Sequence, residues 1–190
     1  MKRQIGFLID INRCIGCHSC RVACQFYNET GADVNWRHVT IHQSGTFPDV
    51  LQHSLSLACN HCMEPACIKV CPVNAITKRK TDGIVYIDEK QCNGCQRCVG
   101  ACPYGAPRKN SANNKVSKCH LCLPRQDRGQ IPVCVETCLG GALQFGYLDD
   151  MTAMAGRRGL VKQVEGFFNP DITNPSTRFI KHDTGGENRI

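Results

Sequence analysis

The stretch Cys14-Ile-Gly-Cys17-His-Ser-Cys20-Arg-Val-Ala-Cys24 decides the fold of this chain. Its spacing, C-x2-C-x2-C-x3-C, recurs at Cys92-Asn-Gly-Cys95-Gln-Arg-Cys98-Val-Gly-Ala-Cys102. Two further groups bring the total to sixteen cysteines in 190 residues; they are Cys59, Cys62, Cys67 and Cys71, and then Cys119, Cys122, Cys134 and Cys138. Cysteines three residues apart in a tight loop can converge on one polynuclear centre, so the pattern predicts metal–sulfur sites.

The first and third groups have the spacing by which bacterial ferredoxins hold [4Fe–4S] clusters. In that arrangement the first three cysteines of a run bind one cluster, and the fourth binds the neighbouring cluster. We therefore expect four [4Fe–4S] clusters in a row, each held by three cysteines of one group and one cysteine of another.

Two other interpretations of the cysteines remain open from the residues alone. A disulfide scaffold needs an oxidising compartment, but the apolar run in residues 1–10 ends in an acid after five residues, with no cleavage site following. Structural zinc uses separated C-x2-C pairs, and the last group alone would pass for a zinc ribbon. Each repeated triplet contains one thiolate more than a C-x2-C pair needs, so the triplets favour iron–sulfur clusters over zinc.

The chain reads as an internal duplication. Ile9-Asp-Ile-Asn-Arg-Cys14 matches Ile87-Asp-Glu-Lys-Gln-Cys92, and Cys71-Pro-Val-Asn-Ala-Ile76 matches Cys138-Leu-Gly-Gly-Ala-Leu143. The groups in the first half thus correspond to those in the second half. In each half the second group carries an insertion between its second and third cysteines.

Spacing indicates which groups share clusters. Twenty residues separate Cys71 from Cys92, and residues 75–88 read as a hairpin around a charged turn. Groups two and three therefore form one two-cluster unit, which leaves groups one and four to pair. The predicted ligands are Cys14, Cys17, Cys20 and Cys138 at site A; Cys119, Cys122, Cys134 and Cys24 at site B; Cys59, Cys62, Cys67 and Cys102 at site C; and Cys92, Cys95, Cys98 and Cys71 at site D.

The predicted fold class is α+β, with duplicated bacterial-ferredoxin-like units of short β-hairpins, short helices and cluster-binding loops. We expect residues 1–55 to carry the first cluster loop and an insertion, and residues 56–110 to form a central two-cluster module. Residues 111–148 carry the last cluster loop, which pairs back with the first. Residues 149–190 contain no cysteine and are expected to form an extended C-terminal tail, either disordered or laid on a partner subunit.

Composition bounds what the chain can bind. Its formal charge of +7 omits the clusters, where sixteen thiolates (about −16) and four oxidised cores (about +8) bring the total near −1. We therefore expect no nucleic-acid partner and interpret Lys78-Arg79-Lys80 as a solvated hairpin tip. No apolar stretch approaches the length of a membrane span. Aromatic residues make up only 6%, so we expect a thin core whose folding depends on metal.

No catalytic motif is present, and we expect no catalytic residue. His18, His61 and His120 lie inside cluster loops, each beside a cysteine. Four cysteines are already available for every cluster, so a ligating histidine would be surplus. Surface placement is the simplest expectation, and hydrogen bonding near a sulfur is the alternative.

These motifs resemble the four-cluster electron-transfer (beta) subunit of the dimethyl sulfoxide reductase family of molybdopterin oxidoreductases. The resemblance runs from residue 5 to about 146 and includes Cys59-Asn-His-Cys62-Met-Glu-Pro-Ala-Cys67, Ala101-Cys-Pro-Tyr-Gly-Ala-Pro107 and Val133-Cys-Val-Glu-Thr-Cys138. Within the family, the dimethyl sulfoxide, polysulfide and thiosulfate reductase subunits look most similar. The nitrate reductase subunit has tryptophan where this chain has Cys95, and Leu139 departs from the proline that often follows the last cysteine.

The resemblance implies a non-catalytic subunit that relays electrons between a membrane subunit linked to quinol or quinone and a molybdopterin-containing catalytic subunit. A membrane anchor subunit is then a second partner. The family places such subunits mostly on the outer, periplasmic face of the membrane by co-export with the catalytic subunit, and a cytoplasmic location is the alternative. A free polyferredoxin carrier or a hydrogenase-associated ferredoxin subunit remains a competing class.

Overall fold

The computed structural model describes residues 3–180 of the chain. Short elements and long loops make up these residues. The strands are β1 (Ile5–Asp10), β2 (His38–Ser44), β3 (Leu51–Leu57), β4 (Ile76–Lys78), β5 (Val85–Ile87), β6 (Arg108–Lys109), β7 (Val116–Ser117), β8 (Leu143–Tyr147), β9 (Leu160–Val161) and β10 (Arg178–Ile180). The helices are α1 (Ser19–Tyr27), α2 (Ala66–Lys69), α3 (Arg97–Ala101), α4 (Leu123–Gln126), α5 (Val133–Glu136) and α6 (Met151–Ala155), with single 3₁₀ turns at Gly156–Arg158 and Pro170–Ile172.

A four-stranded sheet with the order β8-β1-β10-β9 forms the structural centre. Strand β1 lies inside it, antiparallel to β8 and parallel to β10. All six residues of β1 are buried, as expected for a continuous apolar run covered on both faces. The core around β1 also contains Trp36, Leu55 and Phe167, so it is larger than the aromatic content alone suggests.

Each of two antiparallel strand pairs joins one cysteine group to another. Strand β4 pairs with β5, which confirms the hairpin predicted between Cys71 and Cys92. Strand β8 follows Cys138 and pairs with β1, which precedes Cys14. The central sheet therefore holds the strand before group one next to the strand after group four. The hairpin of β4 and β5 likewise holds the strand after group two next to the strand before group three.

These two strand pairs repeat the same local geometry. The Asp10 N–H donates to the Ala142 carbonyl at 2.8 Å, and the Asp88 N–H donates to the Ala75 carbonyl at 2.8 Å. Each aspartate then accepts a hydrogen bond at Oδ1 from the backbone N–H two residues later. This Asx turn directs the chain from the strand into the following cysteine loop.

The helices that carry cysteines pack in pairs, α1 against α5 and α2 against α3. The hairpin of β2 and β3 lies between groups one and two; it begins in the insertion predicted within residues 1–55, and β3 continues beyond that boundary to Leu57. Within the described residues, no helix has both the length and the hydropathy needed to cross a membrane.

The described part of the C-terminal segment differs from the extended tail predicted by the sequence. Residues 149–180 form α6, β9 and β10, and β10 occupies an inner position of the central sheet. Phe179 and Ile180 are fully buried, and the Ser176 N–H donates to the Asn60 carbonyl at 2.9 Å. A strand of three residues among prolines and glycines has too little periodicity to be recognised, but pairing with β1 satisfies its backbone. Residues 181–190 of the predicted tail lie outside the described residues.

The basic run at the hairpin tip is also less solvated than its sequence suggests. Lys78 Nζ donates to the carbonyls of Cys62 at 2.9 Å and Met63 at 3.1 Å. Arg79 forms ion pairs with Asp82 and with Asp127. These contacts attach the hairpin tip to the rest of the chain.

Candidate iron–sulfur sites

Twelve of the sixteen cysteines line three cavities, with four cysteines at each cavity. One cavity is lined by all four cysteines of site A, a second by all four of site C, and a third by all four of site D. In each cavity the fourth cysteine comes from a different group: Cys138, Cys102 and Cys71, respectively. These are the cysteines predicted to cross between groups.

The fourth set is close enough for its thiols to interact electrostatically. Burial raises the pKa of Cys24 to about 12, and Cys134 and Cys122 contribute to the same shift. Burial, followed by Cys24 as the next cause, raises the pKa of Cys119 well above its ordinary value. Site B is therefore the most enclosed of the four, with all of its cysteines buried.

Short helices allow one segment to serve two sites. Cys134 lies on α5, and Cys138 follows the end of that helix. Cys20 and Cys24 are four residues apart on α1. Residues four apart lie on one helix face, so such a pair can line adjacent sites. Helices α1 and α5 carry cysteines predicted for sites A and B, which we call the terminal module. Helices α2 and α3 carry cysteines predicted for sites C and D, which we call the central module.

The loops adopt left-handed backbone conformations where the chain must turn tightly around the sulfurs. Gly16 and Gly94 occupy equivalent positions in their groups with φ of 69° and 73°, and His18 and Gln96 follow with φ of 60° each. Glycine adopts this conformation without a steric penalty. At Gly94 a Cβ would also meet the Asn114 carbonyl oxygen at 2.1 Å, so a side chain would not fit there.

Backbone N–H groups point at several of the sulfurs. The Sγ atoms of Cys71, Cys102 and Cys138 accept from N–H groups four or five residues later at 3.3, 3.5 and 3.4 Å. Cys24 differs, because α1 continues past it and uses the local backbone donors. The Asn28 side chain donates to Cys24 Sγ instead, at 3.6 Å. Such donors stabilise thiolates and tune the potential of bound iron.

Two buried side chains carry hydrogen-bond donors that have no partner in the described structure. These donors test whether the surrounding residues fit an iron–sulfur cluster. Asn60, 2% exposed, lines the site C cavity, and its Nδ2 has no hydrogen-bond partner in the described structure. Arg37, 1% exposed, has no partner there for Nε or Nη2. An unsatisfied buried donor is costly, and sulfur acceptors of a cluster would satisfy both residues. The cysteine sets and these donors therefore fit [4Fe–4S] clusters.

Arg37 lies between the cysteines of sites A and B. Its Nη1 donates to the carbonyl and Oγ of Ser56 at 3.1 Å each, and its guanidinium stacks over Phe7 at 4.5 Å from the ring centroid. Burial alone would lower its pKa, but nearby thiolates, first Cys134 and then Cys20, raise it overall. Arg37 therefore places a permanent positive charge inside the terminal module.

The surface position expected for the histidines of the cluster loops is wrong for one of them. His61 is fully buried, and its Nε2 lies 3.9 Å from Cys119 Sγ, so the surface interpretation is wrong for this residue. His120 is partly buried and packs edge-on against Trp36 at 5.0 Å between ring centroids. His18 is partly buried as well. Within the described residues, no group of three or more His, Cys, Asp or Glu side chains is arranged to hold a single metal ion.

Sequence reasoning missed the residues that surround the sulfurs. Asn28, Arg37 and Ser56 lie outside the cysteine motifs and carry no local signal. Lys118, 3% exposed, could have been noticed because it directly precedes Cys119. Its Nζ lies 3.3 Å from Cys59 Sγ, a contact that sequence adjacency does not reveal.

Comparison with known protein families identifies iron–sulfur domains in this chain. A model described as a 4Fe-4S dicluster domain matches residues 51–148, and one described as a 4Fe-4S binding domain matches residues 11–27. Relatives that are 40% and 41% identical to this chain over most of its length are anaerobic dimethyl sulfoxide reductase chains, so the chain belongs to the iron–sulfur subunits of dimethyl sulfoxide reductase-type oxidoreductases. Its role is that of a non-catalytic, electron-transferring subunit of an oxidoreductase complex.

Individual relatives cover most of the chain. It is 40% identical to YnfG, a probable anaerobic dimethyl sulfoxide reductase chain of Escherichia coli K12, across 97% of this chain and 96% of that one. It is 41% identical to a second anaerobic dimethyl sulfoxide reductase chain of the same organism, across 82% and 80%. It is 44% identical to a tetrathionate reductase subunit of Salmonella typhimurium LT2, across 78% and 60%.

Proposed function

We propose that this chain carries four [4Fe–4S] clusters and relays electrons between a membrane subunit linked to quinol or quinone and a molybdopterin-containing catalytic subunit. The observation that carries the proposal is the presence of three cavities that are each lined by four cysteines, beside four further cysteines that are all buried. When bound, a [4Fe–4S] cluster accepts and releases single electrons. The protein's own residues set the spacing of the sites and the potential at each of them.

The ligand assignment of sites A to D is part of this proposal. It is supported by the three cavities that each contain one cysteine from a second group. Matched conformations at Gly16 and Gly94, and matched hydrogen bonds of Asp10 and Asp88, support the internal duplication from which the assignment starts. Leu139, the departure from the family pattern, is exposed, and Cys138 Sγ keeps its backbone donor.

Exposure suggests where electrons enter and leave. Among the sixteen cysteines only Cys17 and Cys95 are exposed, and they belong to sites A and D. The cysteines of sites B and C are buried or partly buried. Sites A and D would thus exchange electrons with the two partner subunits, while sites B and C connect them. We further propose that the complex acts at the periplasmic face of the membrane after co-export, with a membrane anchor subunit as the second partner.

A free polyferredoxin carrier, or a partner of hydrogenase, is the competing function. The relatives named above are reductase chains or subunits, which supports a subunit role for this chain. Anaerobic purification of the tagged chain from its own cell, followed by metal analysis, separates the two. About sixteen iron atoms per chain with co-purifying molybdenum or tungsten are expected. Full iron without either metal would indicate a free carrier or hydrogenase partner, and zinc in place of iron would refute the cluster assignment.

The crossing of ligands between groups has its own test. Cys102→Ser and Cys62→Ser should alter the same cluster signal in electron paramagnetic resonance spectra, because both are assigned to site C. Cys98→Ser, the matched control from the same cysteine group as Cys102, should alter a different signal. If Cys102→Ser and Cys98→Ser changed the same signal, group three would hold a cluster by itself and the assignment would be wrong.

A further inference from the structure

The junction between the terminal and central modules contains two side chains that reach in opposite directions. Lys118, next to Cys119 of site B, directs Nζ to Cys59 Sγ of site C at 3.3 Å. His61, between Cys59 and Cys62 of site C, directs Nε2 toward Cys119 Sγ of site B at 3.9 Å. Each module thus sends a polar group to a thiol of the other.

A single residue of β5 holds both side chains in place. The Val85 N–H donates to His61 Nδ1 at 3.1 Å, and the Val85 carbonyl accepts from Lys118 Nζ. Because His61 Nδ1 is an acceptor, the ring proton lies on Nε2, and the imidazole offers a neutral N–H to Cys119. Lys118 Nζ also donates to the Cys119 carbonyl at 3.1 Å, so its three donors have three partners.

The charge of the side chain that contacts a cysteine therefore differs between the two modules at the junction. Site C faces a buried ammonium group, whereas site B faces a neutral imidazole N–H across the same gap. Lys118 also lines the site C cavity and is among the groups that lower the pKa of Cys67 and Cys102, although burial, the largest cause, raises the pKa of both thiols. A cation near a cluster stabilises its reduced form more than a neutral donor does, because reduction adds negative charge.

We propose that Lys118 is a positioning residue that raises the reduction potential at site C, and so biases the direction in which electrons cross between the modules. His61 completes the junction by holding a neutral N–H donor against Cys119 Sγ, so that the direct side-chain contacts to the two sulfurs differ in charge. The inference rests on the proposed clusters and on the assignment of Cys59 and Cys119 to different sites.

The experiment uses the holoprotein in its complex and compares Lys118→Met with wild type by redox titration followed by electron paramagnetic resonance. Methionine has a similar length and shape but no charge. At a fixed ambient potential, the ratio of reduced to oxidised cluster at site C should fall at least tenfold, which is about 59 mV for a one-electron couple. The site D ratio should stay within twofold, and Lys118→Arg should restore most of the site C ratio.

Lys109→Met is the matched control, because Lys109 lies exposed on β6 and should leave all four ratios unchanged. Iron analysis accompanies every titration and separates failure of the proposed function from failure of the proposed role of Lys118. A wild-type protein without iron refutes the proposed function. A fully loaded Lys118→Met protein whose four potentials equal those of wild type, or shift by the same amount, refutes the role of Lys118 alone.

A measurement that leaves the lysine in place covers the case in which Lys118→Met does not load iron. Wild-type protein labelled with ¹⁵N-lysine should show nitrogen coupling to one cluster in electron–nuclear double resonance, and Lys118→Arg should lose that coupling. Fully loaded wild-type protein without lysine nitrogen coupling, or coupling that persists in Lys118→Arg, would overturn the proposal.

Discussion

At the scale of single residues, the proposed sites differ in the buried donors and charges that lie around their cysteines. Arg37 serves the terminal module, where its charge acts on Cys20 and Cys134, and Lys118 contacts Cys59 in the central module. Burying a charge is unfavourable unless a partner compensates for it. Thiolates and the negative clusters they hold are suitable partners, so each buried cation stabilises, and is stabilised by, the iron–sulfur sites.

Replacing Arg37 tests this pairing at the terminal module. Arg37→Met should lower the reduction potentials at sites A and B, because a cation no longer stabilises the reduced state. At a fixed ambient potential, the ratio of reduced to oxidised cluster at these sites should fall roughly tenfold. Arg37→Lys keeps the charge and should retain most of the potential. Redox titration followed by electron paramagnetic resonance measures each effect.

Arg21→Met is the control for Arg37. Arg21 lies on α1 beside Cys20, but its Nε donates to Asn35 Oδ1 at 2.8 Å. We expect wild-type potentials in this variant. If Arg21→Met and Arg37→Met lowered the potentials equally, a general loss of positive charge would explain the effect and the specific role of Arg37 would be wrong.

At the scale of elements, the close approach of β1 to the C-terminal segment depends on Gly6. A Cβ at Gly6 would lie 1.8 Å from the Ser176 carbonyl oxygen, an impossible contact with backbone. Gly6→Ala should therefore displace the segment before β10 and destabilise the protein by about 1–3 kcal/mol, lowering Tm by roughly 2–10 °C. Thermal loss of the visible iron–sulfur absorbance, measured anaerobically, gives Tm.

Gly100→Ala is the matched control for Gly6→Ala. Gly100 lies on α3, and a Cβ there meets nothing within 4 Å. Alanine favours helix over glycine, so Tm should be unchanged or slightly higher. A fall in Tm equal to that of Gly6→Ala would show that any added methyl group is harmful and that contact with Ser176 is not the cause.

The C-terminal strands allow a second element-scale prediction. A chain that ends at Gly159 lacks β9 and β10, which leaves the inner strand β1 with an open edge and uncovers Phe7 and Leu8. We expect aggregation or early thermal loss of the clusters. A chain that ends at Ile180 is the control and should keep wild-type Tm. If the shorter chain were equally stable by itself, residues 160–180 would serve a partner rather than this fold.

At the scale of the whole molecule, cysteines belong to the core itself. The main buried cluster of the described chain contains Cys20, Cys24, Cys59, Cys119 and Cys134 beside its apolar side chains. Metal binding to such residues contributes directly to folding free energy. We therefore expect bound clusters to add to the packing that the apolar side chains of this core provide.

Iron removal should consequently unfold much of the molecule. Chelation under reducing, anaerobic conditions is expected to abolish the cooperative thermal transition and most amide protection in α1, α2, α3 and α5. Far-ultraviolet circular dichroism and hydrogen exchange measure both. The central sheet should keep some protection, because β1 packs against Phe179 and Ile180 as well as against cysteine loops. An apo protein that melts cooperatively at the wild-type Tm would contradict this expectation.

The sequence by itself determined the chemistry of the protein and the local shape of each site. A cluster loop is specified by cysteines three residues apart and by glycines such as Gly16 and Gly94, so all of its requirements lie within about ten residues. The hairpin between Cys71 and Cys92 was predictable for the same reason. The sequence also predicts the pairing of groups one and four, because only one arrangement remains once groups two and three are paired; the cavity that Cys138 lines with Cys14, Cys17 and Cys20 supports this prediction.

Only the tertiary structure decided which side chains surround the sulfurs and where the C-terminal strand β10 lies. Arg37 meets Cys134, Lys118 meets Cys59, and His61 meets Cys119 across separations of 97, 59 and 58 residues. No local pattern marks such contacts, because they depend on which loops the folded sheet and helices bring together. Strand β10 was missed likewise: three residues carry little periodicity, and its position follows from backbone pairing with β1 and burial of Phe179.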